Sequence, residues 1–483
     1  MSSGASSSAQ ARNHAARPRH PNRMSRSRGG RRGSSTWDDG RNRTGASVSR
    51  GGTLADTTDH AKGHRRRVLI LGGGFAGIGA ARKLKDADAD VVLVDRNDYH
   101  TFQPLLYQVA TDLLERTAVG HPLRDLFHDQ PNAAVHEATV TAVDLEQKEV
   151  SFAEMGALTY DYLVVALGAE VNFFGTPGAA EHAFPMYTLS DAVRLKDHVL
   201  DRWEAADRDP AVIDDGALNV VVVGGGPTGV ETAGAMAELY RNGFSEDYPA
   251  IPQEHARLTL VEAGPTLFAM FKQNLRDYTA KALEKRDVEV MVGEIVSSVE
   301  PTRVKLKSGK VLNAHTLVWG AGLQANPIAD ALGVDLEKGH RVAVGPDLTV
   351  PGHPETFVVG DVAWITDTGT NEVLPQLGSV ALQAGEQAGE NIARIVAGKP
   401  TEPFVYKDKG TMATIGRGAA VVQFRRGRTL KGKSASLAWG AVHLALLSTG
   451  EDRAKALIDW TWAGFSHDRP ARITVRTDER DAG

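Results

Sequence analysis

Two triplets of glycines, each followed by a carboxylate, are the residues of this 483-residue chain whose types and spacing could do chemistry. Gly72, Gly74 and Gly77 fall in the spacing G-x-G-x-x-G, and Asp95 ends the next apolar run, VVLVD. Gly224, Gly226 and Gly229 repeat the spacing, and Glu262 ends the run LTLVE. In such a set the first glycine permits a tight turn, the second lets a pyrophosphate approach the backbone, and the third lets a helix pack closely on the strand. The acid accepts hydrogen bonds from ribose hydroxyls. Two dinucleotide sites in one chain are most simply explained by two dinucleotides exchanging electrons, FAD at the first and NADH at the second.

The elements that must position these residues are legible around them. Arg67 to Leu71 is a short apolar run of the kind a parallel strand covered on both faces needs, and Ala80, Ala81 and Leu84 continue at helical spacing. The helix N-terminus then faces the phosphates, where its dipole favours negative charge by roughly 0.3 to 1 kcal/mol per charge. The second unit has the strand NVVVVG and an Ala-rich helix, but YRNGFSEDYPAIPQEHAR is inserted before its acid. Glu262 should repel a 2′-phosphate by roughly 1 to 4 kcal/mol at contact distance. No Arg or Lys follows it until Lys272, so NADH should be preferred over NADPH.

Composition sets the frame. Residues 1–67 hold 15 Lys/Arg against 4 Asp/Glu, a net of +11, and residues 401–483 hold 14 against 9, a net of +5. With −5 overall, residues 68–400 carry −21, an acidic body that argues against nucleic-acid binding and leaves the basic ends for anionic surfaces. The Arg-, Ser- and Gly-rich stretch 1–62 lacks hydrophobic periodicity and reads as a disordered basic head, either a solvated tail or a start placed upstream of the true one. No apolar run of about 18 residues occurs, so nothing is expected to span a bilayer. The chain has no cysteine, which excludes disulfides, thiolate catalysis and Cys-ligated metals; no metal site is expected.

Several separated motifs make the sequence resemble the two-dinucleotide FAD flavoproteins, and more closely the type II NADH dehydrogenases. Besides the glycine turns these are RNDYHTFQPLLYQVAT, YDYLVVALGAEVNFFGTPG with Gly168, LVWGAGLQANP with Gly322, TFVVGDVAWI with Gly360 and Asp361, and DKGTMATIGR. The resemblance covers about Arg67 to Ile473. It implies an α/β fold with two Rossmann-like domains plus a C-terminal membrane-associating helical segment. The expected boundaries are FAD domain 63–185 and 320–400, NADH domain 186–319, and C-terminal region 401–483. It also implies a non-proton-pumping NADH:quinone oxidoreductase, with hydride passing from NADH to FAD and electrons then to a membrane quinone, expected to be menaquinone. Gly360 and Asp361 would hold the ribityl chain, with Gly168 and Gly322 also at cofactors.

The resemblance points to Glu231, Gln383 and Gln103 as catalytic candidates. Glu231 stands in the first turn after Gly229, beside the expected nicotinamide; read without the resemblance, an acid there stabilises the helix dipole. Either Gln103 or Gln108 could polarise an acceptor carbonyl. The stretch LPQLGSVALQAGEQAGENIARI reads as a long helix with Pro375 near its start, aimed at the flavin. Here the sequence departs from the family, because Gly378 and Ser379 stand where many relatives carry Ala-Gln, although Ala381 and Gln383 match.

With no thiol pair beside the flavin, electrons must pass directly to a quinone, a one-electron carrier protein or dioxygen. Between Lys407 and Lys433 lie eight basic residues and one acid, followed by ASLAWGAVHLALL and AKALIDWTWAGF. Three of the seven tryptophans lie in the last 45 residues, which suggests an interfacial segment on the cytoplasmic side of the cell membrane, peripherally bound. The alternatives are that these helices close the flavin domain or form a homodimer. His443, alone on an apolar helix, is expected to be packed rather than a ligand. Rival functions are a soluble NADH-dependent reductase of a ferredoxin-like carrier and a flavin-bearing redox sensor.

Overall fold

A computed structural model describes residues 65–465; residues 1–64, with the basic head 1–62, and residues 466–483 lie outside them. Arg66–Leu71, the apolar run before the first glycine turn, is buried over its last four residues and sits inside a six-stranded sheet. The sheet order is Thr349–Val350, His353–Val358, Tyr162–Val165, Arg66–Leu71, Ala89–Asp95 and Ala133–Glu137, parallel except for the first pair. Parallel strands buried on both faces account for runs such as VLIL that show no alternation.

After Tyr162–Val165 the chain leaves this sheet and builds a second, wholly parallel one, ordered Phe184–Pro185, Thr316–Trp319, Val220–Val223, Leu258–Glu262 and Val288–Val292. Ala169–Val171 on the way out pairs antiparallel with Leu323–Ala325 on the way back. The segment then returns to supply His353–Val358 to the first sheet, so that sheet is assembled from two separated stretches of chain. The insertion in the second unit has a packing purpose: Tyr240, Phe244 and Tyr248 surround the fully buried Trp203, with Trp203 and Phe244 rings 4.7 Å apart. Trp203 lies on helix Leu189–Arg208, which Thr188 and Asp191 start with a reciprocal capping box.

Helix Phe75–Lys83, after the first glycine turn, lies against the long helix Gly378–Val396. Their approach needs small residues: a Cβ on Gly385 would stand 1.9 Å from the Ala76 carbonyl oxygen, and one on Gly389 would stand 2.4 Å from that of Ala80. The long helix begins at Gly378, three residues later than Pro375 suggests, because Leu374 still donates its N–H to Ile365 in an extended pairing.

The C-terminal region opens with a three-stranded antiparallel sheet, Thr411–Gly416, Ala419–Gln423 and Thr429–Lys431. Helices Lys433–Leu446 and Gly450–Phe465 follow. The interfacial reading of their tryptophans needs correction. Trp439 is buried, and Trp460 packs on the same hydrophobic cluster; only Trp462, 56% exposed, faces out. His443 is packed, stacked on Trp439 at 4.2 Å with its Nδ1 against the Trp439 carbonyl. Among the described residues no helix is long and apolar enough to cross a membrane.

Candidate functional site

The two acids act in the same way on their glycine turns. Asp95 accepts from the Gly73 N–H at 2.6 Å and from the Asn97 N–H at 2.8 Å. Glu262 accepts from the Gly225 N–H and the Gly264 N–H, both at 2.5 Å. Each carboxylate therefore stands at the end of its strand with the turn tied to it, and keeps lone pairs beyond those two bonds. Gly72 has φ +104° and its Cβ would lie 2.3 Å from the Ala166 carbonyl oxygen, so no other residue fits the first turn. By contrast nothing lies within 4 Å of a Cβ on Gly74 or Gly226. That open space, beside helix N-termini with no side-chain cap, is what a pyrophosphate requires.

A cavity opens at the first turn. Asp95, Arg96, Asn97 and residues 138–140 line one end, and Gly168, Tyr187, Gly360, Asp361, Gly378 and Ala381 the other. Gly360 has φ +77° and a Cβ there would come 3.2 Å from that of Ala76, which lets the backbone close on the cavity. Burial raises the Asp361 carboxyl to about 6, while Tyr187 and Arg341 pull the other way. The long helix presents an N-terminus without a side-chain cap to this end. A cradle open at Gly74, an acid for a ribose, a half-buried acid for a hydroxyl and a helix N-terminus for an electron-rich ring together fit FAD.

The candidates do not all meet here. Gln103 lines the cavity and donates from Nε2 to the Tyr187 carbonyl at 3.2 Å. Gln108 does not; it is 3% exposed and held between Tyr107 and Trp460. Gln383 does not line the cavity either, and its amide is spent on the Lys407 backbone, accepting from N at 3.0 Å and donating to O at 3.3 Å. Ser379 pairs with the Tyr406 hydroxyl at 2.9 Å. Gly320 to Gly322 close over the second turn: a Cβ on Gly224 would meet the Gly320 carbonyl at 2.8 Å. Gly322 (φ +74°) supplies the carbonyl that Asn172 binds.

Glu231 is buried on helix Pro227–Glu238 and accepts from the Thr414 N–H at 3.1 Å, which ties the C-terminal sheet to the second unit. Burial pushes its carboxyl up to about 8, partly offset by that hydrogen bond, so near neutrality it holds a proton it can release.

Sequence reasoning missed Tyr187, whose hydroxyl accepts from the Ala169 N–H and lies 3.4 Å from Asp361. It missed His100 too, buried with Nδ1 3.0 Å from the Gly73 carbonyl. Burial lowers His100 to about 4, so it is a neutral ring bracing the turn. A tyrosine just before a capping box was the available signal for Tyr187; nothing local marked His100.

Residues 66–385 match the family model described as pyridine nucleotide-disulphide oxidoreductase. The chain is 36% identical over 429 residues to the type II NADH:quinone oxidoreductase NdhA of Mycobacterium tuberculosis, covering 84% of this chain and 89% of that protein. It is 32% identical over 362 residues to the type II NADH:quinone oxidoreductase of Staphylococcus aureus, covering 73% and 88%. The solved structure of NDH2 from Plasmodium falciparum in complex with NADH shares the fold, with TM-score 0.77 at 20% identity over 84% of this chain and 99% of that one.

Proposed function

The chain belongs to the pyridine nucleotide-disulphide oxidoreductases and, among them, to the type II NADH:quinone oxidoreductases, and from that premise we propose how its residues divide the work. It is an oxidoreductase that uses FAD and carries electrons from NADH to a quinone. Bound at these residues, FAD would supply the hydride acceptor for NADH and the two-electron carrier towards the quinone. The protein's own residues bind and orient. Asp95, Gly72, Gly74 and Gly77 hold the FAD adenosine and pyrophosphate, with Gly168, Gly360 and Asp361 at the other end. Glu262, Gly224, Gly226, Gly229 and Gly322 seat NADH. Accordingly residues 63–185 and 320–400 form the FAD domain, 186–319 the NADH domain and 401–483 a membrane-facing region. Glu231 holds a proton beside the nicotinamide path, Gln103 orients the flavin end, and Gln383 shapes the acceptor side through the 407 backbone. The observation that carries this reading is the pairing of two acid-tied glycine turns on two parallel sheets in a chain without cysteine, so electrons leave the flavin directly.

The acceptor is a membrane quinone of the menaquinone kind, met at the cytoplasmic face by a peripherally bound enzyme. Leu437, Ile458 and Trp462 are 77%, 65% and 56% exposed on the last two helices, and Phe424, Arg425, Arg426 and Arg428 stand exposed at the preceding hairpin tip. An apolar face beside basic side chains suits an anionic interface, each charge contributing roughly 1 kcal/mol. Replacing Arg425, Arg426 and Arg428 with Ser should weaken binding to anionic vesicles at low salt, and replacing Leu437, Ile458 and Trp462 with Ser should release the protein, FAD being retained in both. Unchanged co-sedimentation would defeat the membrane reading. A change confined to molecular mass would assign the face to a homodimer.

A further inference from the structure

The last helix reaches into the buried layer that holds Glu231. Trp460 donates its Nε1–H to Oε1 of Gln108 at 2.7 Å, and Nε2 of Gln108 donates to the Tyr107 hydroxyl at 2.7 Å. The order of this chain is dictated by chemistry. An indole N–H donates and cannot accept, so the Gln108 atom facing it is the oxygen; the amide NH2 must then face Tyr107, whose hydroxyl oxygen accepts. That bond uses a lone pair of the phenol and leaves its one proton to be donated elsewhere.

Gln108 and Tyr107 are 3% and 5% exposed on helix Leu106–Ala110, which packs against helix Pro227–Glu238 carrying Glu231. Burial, and next the charge of Glu231, hold Tyr107 well above its ordinary pKa, so it remains a donor. The same terminal helix is fixed a second time, by Asp452 against His121 at 3.3 Å, with Asp452 and Thr449 capping the helix start.

We propose that Trp460 is a positioning residue for the acceptor half of the reaction: through Gln108 it fixes the Tyr107 hydroxyl in the layer packed against the Glu231 helix, so electron exit is efficient only while the terminal helix is docked. The overall reaction, NADH + H+ + Q giving NAD+ + QH2, takes one proton from solvent, and Tyr107 and Glu231 are the protonated groups this layer supplies. The inference rests on the placement of Glu231 at the site.

The test uses the full-length holoenzyme in anaerobic stopped flow. Trp460→Phe keeps the ring and removes the donor. It should leave flavin reduction by NADH and the KM for NADH unchanged, and slow reoxidation by a short-chain menaquinone analogue about tenfold, the worth of one hydrogen bond. Tyr107→Phe should slow the same step, and the double variant should be no slower than the slower single one. Gln108→Leu, which breaks the chain at its middle, should reproduce the slowing. In thermal unfolding of the apoprotein, the shifts of Trp460→Phe and Gln108→Leu should be less than additive. Additive slowing by Trp460→Phe and Tyr107→Phe overturns the inference. So does normal reoxidation of Trp460→Phe while Glu231→Gln is slow. Normal reoxidation of Glu231→Gln also overturns the inference, and normal flavin reduction by NADH in the same variant would remove the placement of Glu231 itself.

Discussion

Gly77→Ala is expected to purify depleted in FAD, and Gly229→Ala to keep its FAD and respond only to much higher NADH. The reason lies in backbone, which no rotamer can move. A Cβ on Gly77 would lie 1.8 Å from the Gly72 carbonyl oxygen, and one on Gly229 would lie 1.9 Å from that of Gly224. Each turn would have to open, carrying its amides away from the pyrophosphate. Overpacking of this kind costs about 1 to 3 kcal/mol, roughly a tenfold to hundredfold loss of affinity for the dinucleotide at that turn. Flavin absorbance of the purified proteins reads the first effect. Anaerobic bleaching by NADH, with dithionite as the control reductant, reads the second. The two variants should fail separately; a Gly229→Ala protein that sheds FAD and still binds NADH would reverse the assignment of the turns.

The second large effect is expected at Glu262. Wild type should show a kcat/KM for NADH far above that for NADPH, because the carboxylate would stand against the 2′-phosphate at a cost of roughly 1 to 4 kcal/mol. Glu262→Ala removes that repulsion and also the acceptor for the ribose hydroxyls and the tie to Gly225 and Gly264. NADH turnover should fall while the NADH/NADPH ratio shrinks about tenfold or more. The ratio measured by steady-state kinetics with both cofactors decides it, and an unchanged ratio would assign selectivity to other groups.

What could be read from the sequence was local. The glycine spacings, the acids 18 and 33 residues beyond the third glycines, and the strands before them each lie within one unit, so their physics is written in neighbouring residues. The Gly-Asp at 360 and 361 needed the family resemblance to be noticed. What could not be read joins distant segments. Trp460 and Gln108 are 352 residues apart, and Asp452 and His121 are 331 apart, yet these pairs seat the terminal helix. Gln108 could be marked as polar among apolar residues, but not that its partner was a tryptophan assigned to a membrane. Nor could the sequence show what the small residues of the long helix touch: Gly385 and Gly389 are the contact surface that seats it on helix Phe75–Lys83.

The central claim is that NADH electrons pass through bound FAD to a quinone, and sequential anaerobic mixing tests it most directly. One equivalent of NADH should bleach the flavin of the vesicle-bound holoenzyme. One equivalent of a menaquinone analogue should then restore the full oxidised spectrum with quinol formed one for one. A flavin that NADH reduces but every quinone leaves reduced, while a ferredoxin-like carrier reoxidises it, would contradict the account.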